Sequence, residues 1–198
     1  MGMGSEQLGF EGFASAEPTD RLFFAAMPDP RAAEAIAQTA DRSRRMHGLA
    51  AAPLRTDRFH VTLIHIGDFA GLPRGVVADA LRVGKDTAAP PFGVTFDRAA
   101  SFSGAPQRKP FVLKGGAGLD DLQAFRRSLW DRLIRVGVKP LSRIDFNPHV
   151  TLLYDPASVA EHTVEPVRWT VDELVLIHSE LGRTKYNVLG RWPLMAGR

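Results

Sequence analysis

One tetrapeptide, His-Val-Thr-Leu, occurs twice in this chain, at 60–63 and at 149–152. Each copy lies in a β-branched run, FHVTLIHIG at 59–67 and FNPHVTLLY at 146–154, of the kind that forms strands. The same order of elements surrounds both: an apolar strand, a helix, then the HVTL strand. From Phe24 to His60 is 36 residues, and from Val112 to His149 is 37. A four-residue match alone is not rare in 198 residues. Agreement of string, spacing and element order points to an internal duplication.

The remaining pattern fills in around this repeat. The apolar run 22–27 reads as a buried strand. Asp29 and Pro30 are a helix N-cap and first helical residue, opening a helix over 30–47 with Ala33, Ile36, Ala37 and Ala40 on one face. A second helix is expected over 73–86, a strand over 92–102, a basic turn-rich break over 104–110 (GAPQRKP), and a strand over 111–114. A third helix follows over 119–136, with Leu122, Phe125, Leu129, Leu133 and Val136 in one stripe. A short helix is expected over 156–163, then closing strands over 173–179 and 185–194 around Gly182. The expected fold class is α+β: a bilobal, pseudo-two-fold duplicated unit spanning 21–194. Each lobe is an antiparallel sheet with helices on its outer face, and a groove lies between the lobes. Residues 1–20 are expected to form a flexible arm.

Composition sets outer bounds. With 44% hydrophobic and 24% charged residues and a net charge of +3, the chain has the profile of a soluble globular protein and no polybasic tail. The absence of cysteine rules out disulfides, thiolate nucleophiles and cysteine-held metal centres. No apolar run approaches the ~18 residues of a membrane-spanning helix, and the first twenty residues lack a signal-peptide pattern. A cytoplasmic location is expected.

Side chains of a strand alternate faces, so His60 and Thr62 point one way while Val61 and Leu63 pack beneath the helices. The same holds for His149 and Thr151 against Val150 and Leu152. Two imidazoles, titrating near neutral pH, can serve as one base and one acid. Two threonine hydroxyls can donate to phosphate oxygens, and charge developing on phosphorus would be stabilised by those donors and by an imidazolium. This chemistry requires no metal, and two histidines without an acidic ligand are too few for a zinc site. The plain structural alternative is that His-x-Thr is what any half-exposed strand carries.

These features resemble the two-histidine (2H) phosphoesterase superfamily, defined by two H-x-T/S-x motifs, and especially its bacterial RNA 2′,3′-cyclic phosphodiesterases, often labelled 2′–5′ RNA ligase-like. LFFAAMPD at 22–29, FNPHVTLLYD at 146–155 and SELGRTKYNVLGRWPL at 179–194 are similar to that branch's opening strand, second motif and closing hairpin. The resemblance spans about 21–194 and implies that His60 and His149 carry catalysis while Thr62 and Thr151 bind phosphate. By analogy His149 activates water and His60 protonates the leaving oxygen. The implied substrate is an RNA end or small nucleotide with a 2′,3′-cyclic phosphate, and the implied product is a 2′-phosphate. No cofactor, membrane or obligate protein partner is implied. Ligation to a 2′–5′ linkage is the reverse type of step.

One departure is visible. Some relatives carry an arginine three residues after the second motif's threonine, where this chain has Tyr154. Positive charge would then come from Arg55, Arg58 or Arg143, each also readable as a solvated surface residue. Phe59 and Phe146 either flank a base or pack in the core. Tyr186 either lines the groove or packs the last strand, and Trp192 reads as packing. His65 is expected on the face opposite His60, His178 has no evident partner, and His47 and His162 suit helix ends. Two other functions remain open: a non-catalytic RNA- or nucleotide-binding module on the same fold, and an enzyme acting on 2′–5′ linkages.

Overall fold

The computed structural model of the chain describes residues 17–141, 146–183 and 185–195. Its strands are β1 (Asp20–Ala26), β2 (Val61–Phe69), β3 (Phe92–Ser101), β4 (Lys109–Lys114), β5 (His149–Asp155), β6 (His162–Val171), β7 (Glu173–Glu180) and β8 (Lys185–Pro193). The helices are α1 (Pro30–His47), α2 (Arg74–Lys85) and α3 (Asp120–Arg135). Asp29 caps α1 through its carboxylate, which accepts from the Ala32 amide at 2.8 Å. The helix ends at Gly48, whose φ of 61° is the left-handed cap that glycine adopts without strain.

The α+β class and the antiparallel pairing stand as expected. The strands form one sheet in the order β6-β3-β4-β5-β2-β1-β7-β8. Its halves, β6-β3-β4-β5 and β2-β1-β7-β8, join through one residue pair between β2 and β5. The halves are not the two repeats of the sequence, because β3 joins the half built on β4 and β5 while β7 and β8 join the half built on β1 and β2. The helices also cross: α1 packs on β5 and β6, α2 on β7 and β8, and α3 reaches both β2 and β3.

The short helix expected over 156–163 is absent, and His162 instead opens β6. That strand was hidden by Pro166, which removes a ladder donor. The ladder skips it, Phe96 facing Val167 and Arg98 facing Thr163. Proline is tolerated there because β6 is an edge strand. At the other end, β1 begins at Asp20, and the Thr19 amide already donates to Phe69 O at 2.9 Å. Most of the expected arm, residues 1–16, lies outside the described residues. No helix among the described residues is long and apolar enough to cross a membrane.

Strand β1 separates two apolar layers. Leu22, Phe24 and Ala26 enter the main core under the helices, whereas Phe23 and Ala25 join Val175 and Ile177 in a small cluster on the other face. Trp192 does pack, as expected, wedged between Gly84 of α2 and Gly190 of its own strand. A Cβ at either glycine would stand 2.4 Å from its ring carbons. Gly84→Ala should therefore lower unfolding free energy by about 1–3 kcal/mol through overpacking, although alanine favours a helix interior by ~1 kcal/mol. Urea unfolding measures this, and equal or higher stability would contradict it.

Candidate active site

Strands β2 and β5 touch where Val61 faces Val150. In this antiparallel register position 60 lies across from 151, and 62 across from 149. Val61, Leu63, Val150 and Leu152 are buried in the main core. The two His–Thr pairs take the other face and line one groove of about 710 Å³.

Alternation then breaks at the same place in both strands. Ala25 faces Thr62 and Phe24 faces Ile64, leaving Leu63 as an extra residue. Val112 faces Thr151 and Phe111 faces Leu153, leaving Leu152 extra. An extra residue inverts the facing of the chain beyond it. His65 and Tyr154, each three residues past a groove threonine, thus turn into the groove. Asp155, which plain alternation would put on the His149 side, is buried instead.

The two histidines are held alike. His60 Nδ1–H donates to Arg58 O at 2.8 Å, and His149 Nδ1–H donates to Asn147 O at 2.8 Å. A carbonyl only accepts, so each neutral ring keeps its lone pair on Nε2. Thr62 Oγ1 donates to His60 Nε2 at 3.1 Å. The His60 ring lies 5.1 Å from that of Phe23 and 5.6 Å from that of Tyr186, and His149 meets Phe102 edge-on at 4.9 Å.

Burial, opposed by the Arg58 carbonyl and reinforced by Arg58 and His149, pushes His60 down to about 4. Burial also lowers His149, with the Asn147 carbonyl opposing. At neutral pH both imidazoles are therefore uncharged.

Positive charge comes from three arginines. Arg21 grips Asp68 with both Nε and Nη2, at 2.7 and 2.8 Å, and His65 Nε2–H donates to the same carboxylate at 2.7 Å. Arg21 first, then His65, hold Asp68 down to about 2. Arg58 lies 3.4 Å over the Tyr186 ring, and Arg108 lies 4.6 Å over the Tyr154 ring. The chain has two tyrosines, and both line this groove beneath an arginine.

The family model of the 2′-5′ RNA ligase superfamily matches residues 28–183. The chain belongs to this superfamily. Among solved structures it is similar to Escherichia coli LigT complexed with 3′-AMP (28% identity, TM-score 0.64, covering 90% of this chain and 99% of that one). It is also similar to a protein described as a phosphoesterase (25%, 0.67, 88% and 98%). A Thermus thermophilus protein, TT0787, shares the fold (23%, 0.68, 90% and 100%). No curated protein sequence matches the chain significantly.

Of the residues singled out in this superfamily member's sequence, His60, Thr62, His149, Thr151, Tyr154, Tyr186 and Arg58 come together in the groove. Others do not. Arg55 is exposed and paired with Asp57 at 2.7 Å. Phe59 is fully buried in the main core, so it flanks no base. Phe146 packs against that core, 4.6 Å beneath the Arg126 guanidinium beside α3. Arg143 lies outside the described residues.

Sequence reasoning missed Arg21, Phe23, His65 and Arg108. Arg108 sits in the basic break 104–110, a visible signal that named no role. His65 was misplaced by the bulge. Three histidines have partners away from the two motifs. His47, in the last turn of α1 as expected, and His162, in β6 rather than at a helix end, face each other through Nε2 atoms 3.3 Å apart. His178 Nε2–H donates to Asp20 at 2.5 Å.

Proposed function

We propose that this chain hydrolyses a 2′,3′-cyclic phosphate, at an RNA end or in a small nucleotide, to a 2′-phosphate, with His60 and His149 as acid and base. The observation carrying this reading is the convergence of two His–Thr pairs on one groove, each ring tethered at Nδ1 so that Nε2 is left for proton transfer. The similar LigT forms complexes with 3′-AMP, ATP, NADP+ and phosphate, which supports a nucleotide occupant.

The step balances without a cofactor. Water attacks phosphorus while His149 Nε2 takes its proton. The P–O3′ bond breaks, and His60 Nε2–H delivers a proton to the departing 3′ oxygen. Thr62 and Thr151 hydroxyls donate to the non-bridging oxygens as charge builds there. Proton exchange with solvent then restores both rings. An alcohol in place of water, namely the 5′-hydroxyl of a second strand, gives a 2′–5′ linkage by the same transfers.

The starting state needs His60 charged, whereas burial holds it neutral. The substrate's phosphate anion supplies the missing stabilisation, so binding is coupled to proton uptake. The profile of kcat/KM reports the free enzyme's two ionisations. Both lie below the ordinary imidazole value of 6.5. The bell should therefore centre below pH 6.5 and that of kcat should lie to the alkaline side, and a kcat/KM optimum above pH 7.5 would contradict it.

The direct test is product analysis over a panel: nucleoside 2′,3′-cyclic phosphates, a short RNA with a cyclic end, and 2′–5′-linked dinucleotides. A 2′-phosphate from the cyclic substrates is expected. Release of a 3′-phosphate, or binding without turnover, would overturn the reading.

A further inference from the structure

We propose that Arg108, stacked on Tyr154, forms a second phosphate subsite that selects an oligonucleotide end over a mononucleotide. This rests on the reading just given and extends it to substrate class. It takes the phosphodiester on the 5′ side of the terminal ribose, one nucleotide from the cyclic phosphate.

Position is the first argument. Thr151 faces Val112 and Tyr154 faces Pro110 across the β4–β5 ladder. Two ladder steps separate them, about 7 Å at the rise of an antiparallel strand, comparable to the reach of one nucleotide. The bulge at Leu152 is what points Tyr154 into the groove at that distance.

The second argument is the state of the guanidinium. Arg21, Arg55, Arg98 and Arg191 are each bonded to a carboxylate. Arg108 has no carboxylate partner among the described residues. Its contact is the tyrosine face, 4.6 Å from the ring centroid. A cation held over a ring face spends none of its N–H donors on an acceptor, so the donors that grip phosphate bidentately stay available. The backbone beneath it is anchored: the Arg108 amide donates to Ala105 O at 2.8 Å, closing the β3–β4 turn. Phe102, whose ring meets His149 edge-on, is tied to the base of this turn by its amide, which donates to Pro110 O at 2.8 Å.

The test compares kcat/KM on a nucleoside 2′,3′-cyclic phosphate with that on a dinucleotide carrying the same cyclic end. The full chain should prefer the dinucleotide. Arg108→Ala should cost the dinucleotide about tenfold more than the mononucleotide, as for loss of one charge-assisted contact. It should also reduce the salt dependence by about one phosphate contact. Arg108→Lys should recover the salt dependence and only part of the preference, since lysine neither stacks nor forks. No preference in the parent chain, or equal losses on both substrates, would overturn the subsite. If neither substrate turns over, the hydrolase reading fails separately. The subsite is then judged by fluorescence anisotropy with a labelled dinucleotide 3′-phosphate: weaker binding by Arg108→Ala supports it and unchanged binding overturns it.

Discussion

His60→Ala and His149→Ala should each lower kcat on a 2′,3′-cyclic phosphate by roughly two to four orders of magnitude, the range for a positioned acid or base. The two changes should be far from additive, because either loss disables the same proton relay. Each should also remove one limb of the pH profile, and which limb goes assigns the roles: loss of the alkaline limb marks the acid, expected for His60, and loss of the acidic limb marks the base, expected for His149. Thr62→Ala and Thr151→Ala should cost less, since each removes one hydroxyl donor and no proton. A chelator should leave the parent rate unchanged, as the imidazole mechanism requires no metal. Full activity in either histidine variant would sink the mechanism. The fold should survive both changes, because the rings sit on the groove face while Val61 and Val150 hold the seam.

The second large effect is structural. Asp155 is buried and accepts three backbone amides, from Ala50 and Ala51 at 2.8 and 2.9 Å and from Ala157 at 2.9 Å. It ties the segment after α1 to the end of β5, just before the Leu54 amide reaches Leu152 O at 2.7 Å. Asp155→Ala leaves three donors without their acceptor and should cost about 2–4 kcal/mol. Asp155→Asn keeps one oxygen but turns an NH₂ toward an amide, and should fall between. The sign of the pH effect follows from the lowered carboxyl, held down by the Ala51, Ala157 and Ala50 amides against desolvation. Its stabilisation is present above the unfolded carboxylate value and is lost as pH falls through the lower folded value. Parent stability should thus decline on acidification below about pH 4 more steeply than that of Asp155→Ala. Urea titrations across pH measure both, and parallel curves would contradict the argument.

Much of this was legible along the chain because it depends on local periodicity. The Asp29 cap of α1 follows from its residue type, and the extents of the three helices, the buried faces of Val61, Leu63, Val150 and Leu152, and the two His–Thr pairs follow from the 3.6- and 2-residue repeats. Phe59 and Phe146 show the limit of that reading. Their neighbourhood in sequence is the motif, yet Phe59 lies in the core and Phe146 lies beside α3, since both precede their strands, which begin only at Val61 and His149.

The sequence by itself determined which two His–Thr pairs line the groove, through a motif repeated in matching contexts. Only the tertiary structure decided what surrounds them. The exchange of β3 with β7 and β8 between the sheet halves depends on pairings distant in sequence, which no local pattern encodes. The bulges at Leu63 and Leu152 depend on register against β1 and β4, and they alone turn His65 and Tyr154 into the groove. Arg108 arrives from a turn more than forty residues before Tyr154 because the β4–β5 ladder brings the two together. A charge that the motif itself lacks is thereby set at its edge.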